Sequence, residues 1–183
     1  MERLPAYILA GGQSRRYGTD KARADRDGQP MIVRVAEQAR PLASRVLVVA
    51  DVPAKYDDLG LATITDDQPH RGPLGGLVAA LRHCEGERLL LLACDQPALV
   101  DWLPTLLAHA ADADIVAFRA ETPALAHPMP AVYATALLPY ALSLFGDERP
   151  AGPQQLVSDL HASGRCLLLE PPGDLLDVNR PSP

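Results

Sequence analysis

Leu9-Ala10-Gly11-Gly12-Gln13-Ser14-Arg15-Arg16-Tyr17-Gly18-Thr19-Asp20-Lys21 is the stretch around which the chain is organised. It follows a short apolar run, Ala6 to Ala10, that reads as a buried strand. Glycines let backbone N–H groups approach an anion closely. Arg15, Arg16 and Lys21 place positive charge beside them, in a chain of net charge −6. A strand running into a glycine-rich basic loop is what a polyphosphate needs. Two familiar readings fail on spacing. Gly18 and Lys21 are separated by Thr19-Asp20, so this is not the P-loop pattern, and Gly11-Gly12 does not supply G-x-G-x-x-G. An ordinary surface turn needs fewer glycines and no cluster of cations.

Outward from that stretch, buried runs alternate with helical patterns. Ile32, Val35, Ala36 and Ala39 recur at helical spacing over 31–40. Val46 to Ala50 reads as a second strand, with Asp51 just beyond it, and 62–65 as a third, ending at Asp66-Asp67. Pro73 suits the first turn of a helix striped by Leu74, Leu77, Val78 and Leu81. Leu89 to Cys94 is apolar at every position, which predicts a strand covered on both faces, and Asp95-Gln96-Pro97 follows its end. Asp101 looks like the cap of a helix carrying Leu103, Leu106 and Leu107. A strand over 114–118 comes next. Pro123, Pro128 and Pro130 then predict edge segments or loops around His127. Helices over 134–145 and 153–163 and a strand from Cys166 to Leu169 complete the pattern, with Gly164 stopping the second helix.

Strands alternating with helices predict an α/β fold with a mainly parallel sheet, in one domain over residues 1–183. Ligands of such sheets sit beyond the carboxyl ends of the strands. The glycine-rich loop, Asp51, Asp66 and Asp95 should therefore share one rim. Arg16 and Lys21 neutralise phosphate oxygens there. Asp95 approaches a phosphate only through a cation, and Mg2+ takes one or two carboxylates with phosphate oxygens and waters. The combination points to phosphoryl or nucleotidyl transfer, in which positioning and charge neutralisation do most of the catalysis. Each acid also has a plainer role open to it, since Asp commonly initiates a turn.

The totals narrow the setting. Hydrophobic residues make up 48% and aromatics 4%, so the core is aliphatic. The acidic balance argues against a nucleic-acid or membrane-surface binder. Cys84, Cys94 and Cys166 have no metal-site spacing and read as core or near-core positions, and Trp102 reads as a packing anchor. With no signal-peptide core and no apolar run long enough to span a bilayer, a cytoplasmic setting is expected.

Taken in order, these motifs resemble the molybdenum cofactor guanylyltransferases, the MobA family. The resemblance rests on the opening stretch, Gly72-Pro73-Leu74-Gly75-Gly76-Leu77, Cys94-Asp95-Gln96-Pro97, His127-Pro128 and Asp177-Val178-Asn179-Arg180-Pro181. It implies a three-layer Rossmann-like fold and transfer of GMP from Mg·GTP to molybdenum-bearing molybdopterin, with loss of pyrophosphate. It further implies that Leu9, Ala10, Gly11 and Gly12 contact the nucleotide and Lys21 the phosphates. Asp66 would help fix the nucleotide, Asp95 would bind Mg2+, and Gly75 and Asn179 would lie on the acceptor side. Arg16 would stabilise charge at the reacting phosphorus, and molybdoenzyme-maturation proteins would be further partners. The acceptor's terminal phosphate, with a second pKa of about 6, needs no general base. The chain departs from the family pattern at Val49, where Asn is frequent, and at Asp177 and Arg180. Three alternatives stay open: a molybdenum cofactor cytidylyltransferase, a sugar-phosphate nucleotidyltransferase, and a non-catalytic nucleotide-binding module.

Overall fold

Strand β1, Ala6–Leu9, is buried at all four positions and runs through the middle of the sheet. It pairs in parallel with β4 (Val46–Ala50) on one side and with β6 (Arg88–Ala93) on the other, so that Ile8 lies between Val48 and Leu92. The structure is a computed structural model that describes residues 3–10, 20–66, 68, 71–96, 99–120, 125–146 and 152–172. The seven-stranded order is β5-β4-β1-β6-β8-β7-β9, with β5 at Thr63–Thr65, β7 at Ile115–Arg119, β8 at Ala126–Ala134 and β9 at Cys166–Leu169. Within this sheet, among the described residues, only the two pairings of β8 are antiparallel, and the others are parallel.

Alternation along the strands sends successive side chains to opposite layers. Ile8, Val48, Leu90, Leu92, Val116 and Phe118 face α1 (Met31–Ala39) and α3 (Trp102–Ala108). Tyr7, Leu9, Leu89, Leu91, Ile115 and Tyr133 face α2 (Pro73–His83), α4 (Leu138–Ser143) and α5 (Pro153–Ala162). The result is a three-layer α/β/α arrangement, as expected. The expected spacing in α1 also holds: Ile32, Val35, Ala36 and Ala39 are its buried residues. In α3 Trp102 is buried and meets the Phe118 ring edge-on at 4.5 Å. Gly164 ends α5 with φ of 72°.

Two expectations change and one is refined. The segment around His127 is strand rather than loop, and it is an edge only locally: Ala126 and His127 pair with β7 alone, and β8 lies between β6 and β7 from Ala131 onward. Its register against β7 jumps from Ala117↔Ala131 to Phe118↔His127, leaving 128–130 without β7 partners. Pro128 and Pro130 fall inside that bulge and before the pairing with β6 begins at Ala131, where no ladder N–H is needed. Asp101 stands before α3 in helical backbone geometry and makes no side-chain cap bond. The helix expected over 134–145 is shorter, with 3-10 turns at Thr135–Leu137 and Leu144–Gly146 on either side of α4. The polar stretch before α1 carries a small hairpin, β2 (Asp25–Arg26) with β3 (Gln29–Pro30). Its turn residues Asp27 and Gly28 have φ of 58° and 83°, the positive values that a two-residue hairpin of this kind requires.

Candidate active site

The sheet's connections change direction at β1. The chain leaves β1 through α1 to reach β4 on one side, and α2 later carries it from β5 back across to β6 on the other. The segments that follow β1 and β6 therefore diverge and leave a crevice above their carboxyl ends, the usual ligand position in open α/β sheets. Backbone bonds fix the floor. The Cys94 N–H donates to the Leu9 carbonyl at 3.2 Å, and the Ala10 N–H to the Val49 carbonyl at 2.9 Å.

Lys21 and Asp95 meet across this crevice. Lys21 Nζ donates to Asp95 Oδ2 at 2.6 Å, although 74 residues separate the two in sequence. Their side chains are 44% and 35% exposed, so the charges are reachable from solvent. The turn that Asp95 occupies is held by its neighbour, since Gln96 Oε1 accepts the Ala93 N–H at 2.9 Å. The Asp95 carboxylate is thus not consumed in shaping its own turn. A cleft of about 200 Å3 opens here. Asp20, Lys21 and Asp95 supply its charged lining, and Leu9, Pro73 and Met129 part of its apolar wall. Met129 comes from the β8 bulge, and its flanking prolines were the sequence signal for that irregularity.

The remaining acids of the rim have other surroundings. Asp66 is 6% exposed, the one buried charged residue among those described. Its Oδ1 accepts the Gln68 N–H at 2.7 Å, and its carboxylate lies against the first turn of α2. Gly75 makes that approach possible: a Cβ there would stand 2.9 Å from Asp66 Oδ2 and 2.5 Å from the Gln68 carbonyl. Gly76 similarly admits Leu9, whose Cδ2 would lie 2.9 Å from an added Cβ. Asp51 follows β4 as expected but is exposed and paired with Lys55 at 2.8 Å. That hydrogen bond lowers its pKa from the ordinary 3.8. Neither Asp51 nor Asp66 is among the described residues lining the cleft.

The nucleophile candidates are quiet. Burial, and then the Asp95 charge, push the Cys94 thiol up to about 12, so it stays protonated. Burial lowers the pKa of His127. Cys84, Cys94 and Cys166 are all free thiols. No group of three or more His, Cys, Asp and Glu side chains able to hold a metal occurs among the described residues. Among those residues no helix is long and apolar enough to cross a membrane. Gly11, Gly12, Arg15, Arg16, Gly18 and Asn179 lie outside the described residues.

Comparison with known proteins agrees with this arrangement. A protein of Deinococcus radiodurans named "Probable molybdenum cofactor guanylyltransferase" is 38% identical over 168 residues, covering 87% of this chain and 86% of its own. One of the same name from Chloroflexus aggregans is 37% identical over 108 residues, 57% of this chain and 50% of that one. This chain thus spans nearly all of the first relative and half of the second. The fold matches the crystal structure of molybdopterin-guanine dinucleotide biosynthesis protein A from Archaeoglobus fulgidus. The TM-score is 0.69 at 21% identity, over 91% of this chain and 83% of that one. The MobA-like NTP transferase domain matches residues 6–163. With this domain over most of its length, and its opposed lysine and aspartate at the turning point of the sheet, the chain belongs to the MobA-like NTP transferase family.

Proposed function

We propose that this protein is a molybdenum cofactor guanylyltransferase. An oxygen of the acceptor's terminal phosphate attacks the α-phosphorus of GTP. A new P–O bond forms, the bond from the α-phosphorus to the β-bridging oxygen breaks, and pyrophosphate leaves with the electron pair. The product is the dinucleotide of molybdenum-bearing molybdopterin. The observation that carries the reading is the Lys21–Asp95 contact at the carboxyl ends of β1 and β6. The names of the relatives supply the base and the acceptor.

Lys21 supports the reading as the phosphate-binding cation, and Leu9 and Ala10 as the floor on which the nucleotide rests. Gly11, Gly12 and Arg16 belong to the same proposal through their place in the sequence. Asp66 shapes the first turn of α2, beside Gly75, and so acts on the nucleotide by holding that turn. Gly75 and Asn179 are assigned to the acceptor side. The donor set suits Mg2+ more than a softer metal. Asp95 is a single half-exposed carboxylate that already carries the Lys21 ammonium, and Mg2+ is commonly held by one or two carboxylates with substrate phosphates. Asp95 would hold that ion, whose chemistry is neutralisation of the triphosphate charge. Two anions must be brought together in this reaction, which favours a site of cations over one with a general base. The three free thiols fit the expected cytoplasmic setting.

The test is pyrophosphate release with each nucleoside triphosphate, Mg2+ and purified molybdenum-bearing molybdopterin. Release confined to GTP and dependent on that acceptor is expected. Preference for CTP would make the protein a cytidylyltransferase. A requirement for a sugar phosphate would make it a sugar-phosphate nucleotidyltransferase. Tight GTP binding without release would make it a binding module.

A further inference from the structure

The glycine-rich stretch leaves β1 at Ala10 and returns to described structure at Asp20, one residue before Lys21. Both ends approach one side chain. The hydroxyl of Tyr56, in the connection between β4 and β5, donates to Asp20 Oδ2 at 2.9 Å. The same oxygen lies 3.4 Å from the Ala10 carbonyl, in the direction of a second, weaker contact. Tyr56 is fully buried. Two cations lie over its ring, Arg23 at 5.2 Å and Lys55 at 5.6 Å from the centroid. Arg23 is held there in turn by both carboxylate oxygens of Asp58, at 2.7 Å each.

Asp20 is occupied on both oxygens. Its Oδ1 accepts the Ala22 N–H at 3.1 Å and so starts the 3-10 turn Lys21–Arg23, while its Oδ2 takes the Tyr56 hydroxyl. Lys55 Nζ adds a longer ion pair to Oδ2 at 3.6 Å. The turn that Asp20 starts has Lys21 as its first residue. A hydrogen bond from a hydroxyl to a carboxylate is among the stronger ones available to a neutral side chain. Burial, and then Asp20, raise the Tyr56 pKa well above its ordinary value, which keeps the hydroxyl a donor.

We infer that Tyr56 is a positioning residue: its hydroxyl pins Asp20 beside the end of β1, and Asp20 in turn sets where Lys21 enters the cleft. This rests on the functional reading above only where turnover is measured. Tyr56 is buried and is not among the described residues that line the cleft. It acts through Asp20 on the 3-10 turn that begins at Lys21.

Tyr56→Phe removes the hydroxyl and keeps the ring beneath its two cations. Hydrogen exchange is expected to speed up at the amides of Ala22 and Arg23, which bond to Asp20, while the interior amides of α1 keep their rates. kcat/KM for GTP is expected to fall by about tenfold or more, the usual scale for losing a hydrogen bond to a charged group. In a Lys21→Ala background the same change should have an effect within about twofold, since Tyr56 acts through Lys21. Asp20→Asn has one acceptor oxygen where the Ala22 N–H and the Tyr56 hydroxyl need two, so it should speed exchange at Ala22 and lower kcat/KM in the same direction as Tyr56→Phe. If Tyr56→Phe does not fold, Asp20→Asn decides the matter, and unchanged exchange at Ala22 in that variant would overturn the inference. Unchanged exchange at Ala22 and Arg23 would overturn the inference. So would an equally large kinetic effect without Lys21. If the wild type turns over no triphosphate, the functional reading fails, and the exchange result alone still decides the role of Tyr56.

Discussion

Replacing Asp95 with alanine separates the chemistry of the cleft from the stability of the fold. The carboxylate bonds Lys21 at 2.6 Å, but the two side chains are 35% and 44% exposed. Exposed pairs of this kind contribute about 0–1 kcal/mol. A change of 1 kcal/mol moves Tm by roughly 2–4 °C in a protein of this size. The Asp95 turn is also held by the Gln96 side chain, which the substitution leaves in place. Asp95→Ala should therefore lower Tm by no more than about 4 °C. Its catalytic cost should be far larger. Removing one preorganised electrostatic contact to a reacting group typically costs 10²–10³ in kcat, or about 3–4 kcal/mol. Asp95→Asn, of nearly the same shape but uncharged, should lose as much kcat as the alanine variant. Pyrophosphate release and differential scanning calorimetry read the two effects on one sample. A variant that keeps more than about a tenth of wild-type kcat would refute the assignment of Asp95 to the metal. A fall in Tm well beyond 4 °C would refute the claim that the carboxylate is kept for chemistry.

Packing and charge elsewhere in the fold set four further outcomes. Gly75→Ala should cost about 1–3 kcal/mol, because the added methyl meets the Gln68 carbonyl at 2.5 Å. Gly76→Ala should cost less, because it meets only the end of the Leu9 side chain, but it should raise KM for GTP, since Leu9 lines the cleft. Thermal melts and steady-state kinetics on the two variants check that contrast. Trp102→Ala should destabilise by about 3–5 kcal/mol, because it empties a buried site against Phe118, and denaturant melts would register it. Asp51→Asn should cost no more than about 1 kcal/mol at neutral pH, since Asp51 is 46% exposed. The folded protein depresses the pKa of Asp51, so the stability it contributes is present above the unfolded value near 3.8. It is lost as pH falls through the lower folded value. The Tm gap between wild type and Asp51→Asn should be constant from pH 5 to 8 by this reasoning and close in stronger acid.

Much of this arrangement is legible in the sequence because it depends on local pattern. The leucine run from 89 is apolar at every position, and it forms an inner strand covered on both faces. The spacing of Ile32, Val35, Ala36 and Ala39 marks the buried side of α1. Asp95 is recognisable because it follows the end of β6, and Lys21 because it follows the glycines after β1. Their contact needs one more step, the rule that ligands gather at the carboxyl ends of parallel strands. What the sequence hides depends on partners far along the chain. Pro128 and Pro130 mark the irregular segment but do not tell that β8 continues past them as an inner strand, paired on both sides only from Ala131 onward. Asp101 has the composition of a cap, yet its backbone is already helical and its side chain makes no cap bond. Tyr56 offered no signal at all. It lies in an irregular polar stretch, and its hydroxyl has meaning only because β4 places it beside the end of β1.

The Lys21–Asp95 contact bears on how a nucleotide would enter. A strong, buried ion pair would resist opening, since breaking one leaves an uncompensated charge and costs about 3–5 kcal/mol. This pair is half-exposed, so water screens both charges and the contact is worth far less. A triphosphate arriving with a divalent cation satisfies both partners together, the phosphate taking the ammonium and the cation taking the carboxylate. A triphosphate without the cation would relieve Lys21 but set its own charge against Asp95. Affinity for GTP should therefore rise on adding Mg2+, and the gain should be smaller in Asp95→Ala, where that repulsion is gone. Calorimetric titration of GTP with and without Mg2+ measures both. An equal Mg2+ effect in the two proteins would mean that Asp95 does not face the phosphates.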